Sequence, residues 1–190
     1  MIKAIIFDCF GVLVGTGYWN TFERAGGDLS KDKKFLDDVL YKTSKGEITT
    51  KELYVLTAQR LGVTVEVWTK AIQSDEQPNE ELFEFIKSTL KPNYKIGFLS
   101  NAGRGVVELK LPQEHMNLFD SVVVSAHVGL AKPDPEIYKY AAKELGVAPA
   151  DCLFVDDNEP YLAGAESVGM KTHLFKSTSS LISKIESLRG

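Results

Sequence analysis

Apolar and polar positions along this chain follow two different patterns. Near the N-terminus Ala4-Ile5-Ile6-Phe7 runs unbroken into Asp8, and Gly11 follows at once. A short apolar run bounded by turn residues reads as a strand buried on both faces, the habit of a parallel sheet. Over residues 18–87 the spacing becomes helical, with apolar residues three and four apart, as in Phe35-Leu36-Val39-Leu40 and Leu53-Leu56-Leu61. Thr64-Val65-Glu66-Val67-Trp68 fits a strand locally, but Thr64 as an N-cap with Trp68, Ala71 and Ile72 on one face favours a helix. From Tyr94 onward strand and helix patterns alternate, with strands expected at 95–100, 121–125, 152–156 and 171–175. Asp134 and Pro135 open one of the intervening helices as N-cap and first residue, and Gly146 closes it. The last helix, 177–190, turns Leu181, Ile182, Ile185 and Leu188 toward the sheet. Such alternation implies an α/β fold with a doubly wound parallel sheet. Residues 1–16 and 88–190 form its core, and residues 17–87 form a helical insertion.

Composition narrows the range of partners. The 190 residues, 44% of them hydrophobic, suffice for one core with a sizeable insertion. A formal net charge of -4 argues against nucleic acid or an anionic membrane as partner, because both require a basic face. No apolar stretch approaches the ~18 residues of a membrane span. The densest basic cluster, Lys31-Asp32-Lys33-Lys34, reads as a solvated helix face. Cys9 and Cys152 both fall in expected strands, which points to buried thiols in a reduced, cytoplasmic protein. Alternation along the strand turns Cys9 away from the face of Asp8. His115, His127 and His173 are scattered, which argues against a zinc site. Oligomeric state leaves no mark on the pattern.

Chemistry enters where the strands end. Asp8 closes the first strand, and Asp156-Asp157 closes the strand at 152–156. Ligands of open α/β sheets bind at these carboxyl ends. If the two strands are neighbours, three carboxylates crowd one cleft, a costly arrangement unless a cation sits among them, and hard oxygen ligands suit Mg²⁺. A single aspartate there reads more simply as a helix N-cap, but two in succession matched by Asp8 favour the metal. Ser100-Asn101 ends another strand and offers a hydroxyl and backbone N–H groups to a phosphate. Lys132, between Ala131 and Pro133, supplies a cation.

In this order, Asp8, Ser100, Lys132 within Gly129-Leu130-Ala131-Lys132-Pro133-Asp134-Pro135, and Asp156-Asp157 resemble the four motifs of the haloacid dehalogenase (HAD) superfamily. The resemblance covers essentially the whole chain and implies a Rossmann-like HAD core with a small helical cap that closes over the site. It makes Asp8 the nucleophile that forms an aspartyl-phosphate, with Ser100, Asn101 and Lys132 holding the phosphoryl group of a small phosphorylated substrate. It assigns Mg²⁺ to Asp8, the backbone carbonyl of Phe10 and Asp157, with Asp156 binding directly or through water. Gly11 and Gly164 are left to tight turns or close packing.

One position departs from the family pattern. Phosphatases of the family carry a second aspartate two residues after the nucleophile, as proton donor and base; here that residue is Phe10. The main expectation is a Mg²⁺-dependent phosphatase that acts on good leaving groups or borrows an acid from the cap, with Glu23, Glu47 and Glu52 as candidates. A 2-haloacid dehalogenase-like hydrolase is the alternative, since that branch carries an aromatic residue at this position. A silent relative that only binds Mg²⁺ or phosphate is the third. Trp19, Phe22, Arg24, Tyr41, Tyr54 and Trp68 are candidates for lining the pocket, against the plainer reading of aromatic core.

Overall fold

A computed structural model describes residues 1–15 and 17–189; Thr16 and Gly190, which fall at the edges of the expected segments, lie outside the described residues. The apolar runs form the strands β1 (Ala4–Phe7), β2 (Lys95–Ser100), β3 (Ser121–Val124), β4 (Cys152–Asp156) and β5 (Lys171–Leu174). All pair in parallel, in the order β3-β2-β1-β4-β5. The chain therefore winds outward from β1 on one side and returns to β4 on the other. The carboxyl ends of β1 and β4 flank the switch point where open α/β sheets take their ligands. The register pairs Phe7 with Val155, which sets Asp8 beside Asp156 one step later.

Side-chain alternation divides the core into two layers. Ile5, Phe7, Phe98, Leu153 and Val155 pack against Leu82, Phe83 and Ile86, and against Leu181 and Ile185. These come from α5 (Glu80–Phe85), which continues through a wider π turn at Ile86–Leu90, and from the C-terminal helix α11 (Thr178–Arg189). Leu188 joins this cluster, whereas Ile182 is half-buried outside it, a step of about 100° round the helix from Leu181. Cys9 lies in the same cluster, buried and free. On the opposite face Ala4, Ile6, Leu99, Cys152 and Phe154 pack against α9 (Pro135–Glu144) and α10 (Glu159–Ser167). Asp134 caps α9 by accepting from the Glu136 amide at 3.0 Å, Pro135 is its first residue, and Gly146 follows its end at φ 65°. The shorter helices α6 (Val106–Lys110), α7 (Gln113–Met116) and α8 (Ser125–Val128) connect β2, β3 and α9.

Helices α1 (Tyr18–Arg24), α2 (Leu29–Ser44), α3 (Thr50–Leu61) and α4 (Val65–Asp75) fill the segment between β1 and α5. They bury a cluster of their own around Trp68, which meets Tyr18 edge-on at 5.2 Å between ring centroids, with Phe22, Leu36 and Leu53. Thr64 caps α4 as the sequence implies, and Thr49 and Glu52 form a capping box on α3. The expected solvated face at 31–34 holds one exception: Asp32 is buried and paired with Arg60 of α3, which fastens α2 to α3. The two connections to the sheet run side by side. Gly15 donates its amide to the Gln77 carbonyl at 2.9 Å, and a Cβ there would stand 2.1 Å from the Asp75 carbonyl oxygen. Among the described residues no helix is long and apolar enough to cross a membrane.

Candidate active site

Asp8 extends β1 by one residue, its amide bonded to the Val155 carbonyl at 2.9 Å, so its carboxylate arrives at the sheet edge beside that of Asp156. Lys132, almost wholly buried, stands between them: its Nζ lies 2.7 Å from Asp8 Oδ1 and 2.7 Å from Asp156 Oδ2. Asn101 fixes this lysine at its backbone. The Asn101 amide donates to the Lys132 carbonyl at 2.9 Å, and its side-chain oxygen accepts from the Lys132 amide at 2.8 Å. The two neighbouring carboxylates hold the Lys132 ammonium above its ordinary pKa in spite of burial. Burial, followed by the charge of Asp156, pushes the Asp8 carboxyl up to about 7 against the pull of Lys132.

Asp157 completes the acidic group. One carboxylate oxygen each from Asp8, Asp156 and Asp157 lies within 4.8 Å of the others. Asp156 already uses both oxygens, Oδ2 on Lys132 and Oδ1 on the Asn158 amide at 2.8 Å, which leaves Asp157 as the less engaged of the pair. Gly11 makes room for it: at φ +86°, a Cβ on Gly11 would fall 2.2 Å from Asp157 Oδ2. Gly164 serves close packing, since its Cβ would meet the Pro133 carbonyl at 2.6 Å. Asp156 and Asp157 precede α10 without capping it, because Asn158 occupies the N-cap.

At the end of β2 the Ser100 side chain is fully buried, and its hydroxyl has no partner among the described residues. Ser125, buried at the start of α8, accepts from the Ala102 amide at 3.1 Å and so fixes the loop after Ser100. Ser125 and Tyr161, whose ring lies 4.7 Å from Lys132 Nζ, were not legible in the sequence. Neither sits in a motif; tertiary folding alone brings them to Ala102 and Lys132.

A cavity of about 660 Å³ opens above this edge, between the sheet and α1–α3. Asp8, Phe10, Asn101, Lys132 and Asp157 line one side of it. Of the aromatics singled out, Trp19, Tyr41 and Tyr54 line the other, whereas Phe22 and Trp68 are fully buried core. Arg24 is exposed and paired with Asp75. Glu23, Glu47 and Glu52 do not reach the cavity: all three are exposed, and Glu52 caps α3. The glutamate that does line it is Glu76, buried and paired with Lys110 at 2.6 Å. It was missed because a lone glutamate between two helices carries no pattern. Of the histidines, His115 stacks on Phe83 and His173 meets Ser180, and among the described residues the carboxylate trio is the group suited to a metal.

The family model of the haloacid dehalogenase-like hydrolases matches residues 2–169. The chain belongs to that family. Among the relatives of this HAD-like hydrolase, phosphatase MT3486 of Mycobacterium tuberculosis is 39% identical over 82 residues, which is 42% of this chain and 38% of that protein. Pyrophosphatase PpaX of Bacillus cereus is 33% identical over 94 residues, 49% of this chain and 44% of that protein. The chain thus spans less than half the length of these curated relatives. A HAD family enzyme of Bacteroides thetaiotaomicron, solved in complex with magnesium and inorganic phosphate, superposes with a TM-score of 0.71 at 26% identity, covering 93% of this chain and 95% of its own.

Proposed function

We propose that this HAD-like hydrolase is a Mg²⁺-dependent phosphatase that acts on a small phosphorylated metabolite through an aspartyl-phosphate at Asp8. One observation carries the reading: three carboxylates converge within 4.8 Å of one another with a single ammonium set against them. Three negative charges and one positive leave a deficit that a divalent cation fills. Asp8, Asp157 and the Phe10 carbonyl would hold Mg²⁺, with Asp156 acting through water because its oxygens are already engaged. Bound there, Mg²⁺ supplies charge neutralisation for the phosphoryl oxygens. The partnerless Ser100 hydroxyl is the second support, since a buried donor without a partner is costly unless a ligand oxygen accepts from it. The magnesium and phosphate of the Bacteroides relative and the names of two curated relatives, phosphatase MT3486 and pyrophosphatase PpaX, point the same way.

In this reading Lys132 holds Oδ1 of Asp8, and Oδ2 attacks phosphorus. The bond from Asp8 to phosphorus forms as the bond to the leaving oxygen breaks. Water then attacks phosphorus as the bond from Asp8 to phosphorus breaks; one water hydrogen stays on the incoming oxygen, the other passes to a phosphoryl oxygen, and dihydrogen phosphate leaves with the Asp8 carboxylate restored. Phe10 donates no proton, so the leaving group departs most readily as a stable anion. Helices α1–α4 act as the cap: α1–α3 supply the far wall of the cavity and exclude water from the charged edge, and α4 packs against them through Trp68. Haloacid dehalogenation is disfavoured because it would leave the charges of Asp156 and Asp157 against Lys132 alone.

The test is phosphate release from p-nitrophenyl phosphate and acetyl phosphate by wild type and Asp8→Asn, each with Mg²⁺ and with EDTA. Release that requires both Asp8 and Mg²⁺ is expected. Release that survives Asp8→Asn or EDTA would defeat the mechanism.

A further inference from the structure

The cavity above Asp8 is far larger than a phosphoryl group, and its remaining walls have a distinct chemistry. Phe10 forms the core side of this chamber, with Tyr18, Trp19, Leu40, Leu53 and Tyr54 facing it from α1, α2 and α3. Its lining cation is already engaged. Among the described lining residues Lys132 is the cation, and it is held 2.7 Å from both Asp8 and Asp156. The other charged lining groups are acids: Glu76 is paired with Lys110, Asp37 with Lys33 and Asp38 with Lys42, while Asp157 belongs to the acidic group beside Asp8. A second phosphate or a carboxylate on the substrate would meet these acids and find no unpaired cation. Thr50 adds one polar handle, a buried hydroxyl on a lining residue with no partner among the described residues.

We propose that the chamber selects substrates whose non-phosphoryl part is uncharged and apolar or aromatic, and that it disfavours pyrophosphate and phosphates that carry a second anion. The inference rests on the phosphatase reading and names its substrate class. It also gives Phe10 a purpose. At the residue two beyond the nucleophile, a benzyl side chain continues the apolar wall to the reacting phosphorus, where a carboxylate would interrupt it. Burying methylene groups against such a wall strengthens binding by a factor of a few for each one.

Acyl phosphates of increasing chain length test this cleanly, because the basicity of the leaving carboxylate is nearly constant along the series. With Mg²⁺, kcat/KM is expected to rise roughly 10- to 100-fold from acetyl to hexanoyl phosphate, with pyrophosphate the poorest substrate. Leu40→Lys should flatten the rise and improve pyrophosphate relative to hexanoyl phosphate. Tyr41→Lys, at an exposed lining position that tolerates substitution, should do the same in smaller measure. Binding supplies a readout independent of turnover: hexylphosphonate should bind at least tenfold more tightly than methylphosphonate in calorimetry. Acetyl phosphate turnover with no chain-length gain, or preference for pyrophosphate, overturns this inference and leaves the phosphatase reading intact. Tight hexylphosphonate binding with no phosphate release from any ester overturns the phosphatase reading and upholds the chamber's selectivity. Equal binding of the two phosphonates overturns the selectivity outright.

Discussion

Phe10 and Gly11 sit side by side and affect different halves of the chemistry. Phe10 has no proton to donate, and general acid assistance contributes about 10²- to 10⁴-fold. Phe10→Asp should therefore raise kcat on alkyl phosphates by about that range while changing acetyl phosphate turnover little, which steady-state kinetics on both substrates will show. Gly11 contributes through absence of a side chain. At φ +86°, with Asp157 Oδ2 2.2 Å from where a Cβ would be, Gly11→Ala must shift the Asp157 carboxylate. With Asp157 as the proposed Mg²⁺ ligand, such a displacement would cost roughly 10- to 100-fold in metal affinity. Magnesium titration calorimetry of Gly11→Ala should show that loss, with about 1–3 kcal/mol of backbone strain appearing in denaturant unfolding.

At the scale of elements, the junction between α4 and α5 is held by an ion pair closed off from water. Glu76 in that junction meets Lys110 of α6 at 2.6 Å, with both side chains at least nine-tenths buried. Burial pushes the Glu76 carboxyl up, and Lys110 pulls it back only in part. Lys110→Met would strand a buried carboxylate, a change that costs about 3–5 kcal/mol, whereas Lys110→Met with Glu76→Gln removes both charges and should recover most of the loss. Urea unfolding of the two single variants and the double variant measures the coupling directly. A coupling near zero would show that the junction is held by packing alone.

For the whole molecule, the crowded carboxylates make stability depend on pH and metal together. Asp8 moves from an ordinary 3.8 to about 7 on folding, so between those values the folded state binds a proton that the unfolded chain has released. The contribution of Asp8 to the stability of the metal-free protein is therefore full below about pH 4 and falls as pH rises to about 7, by on the order of a few kcal/mol. Asp157, also raised by burial, adds in the same direction. Mg²⁺ held as proposed would bind the deprotonated group, so its stabilising effect should be small at pH 5 and large at pH 7.5. Melting temperatures in EDTA and in Mg²⁺ across this window check the sign. A metal-free melting temperature that climbed from pH 4 to pH 7 would contradict it.

The sequence alone determined the layers of this protein, because a buried strand and an amphipathic helix each impose their own period on the residues that form them. Ala4–Phe7 and Cys152–Asp156 were legible as buried strands for that reason, as was the pairing of Asp134 with Pro135 at the start of α9. The carboxylates at the strand ends were legible too, since a strand that stops at Asp delivers it to the sheet edge. What only tertiary structure decided were contacts between segments far apart in the chain. The side chain of Asn101 proved to clamp the Lys132 backbone 31 residues away, where the sequence offered only a phosphate contact for its own backbone. Tyr161 over Lys132, Ser125 under Ala102 and Glu76 against Lys110 likewise follow no local period. Local patterning is fixed by the covalent geometry of neighbouring residues, whereas these contacts depend on how whole elements pack, a property that no short stretch of sequence encodes.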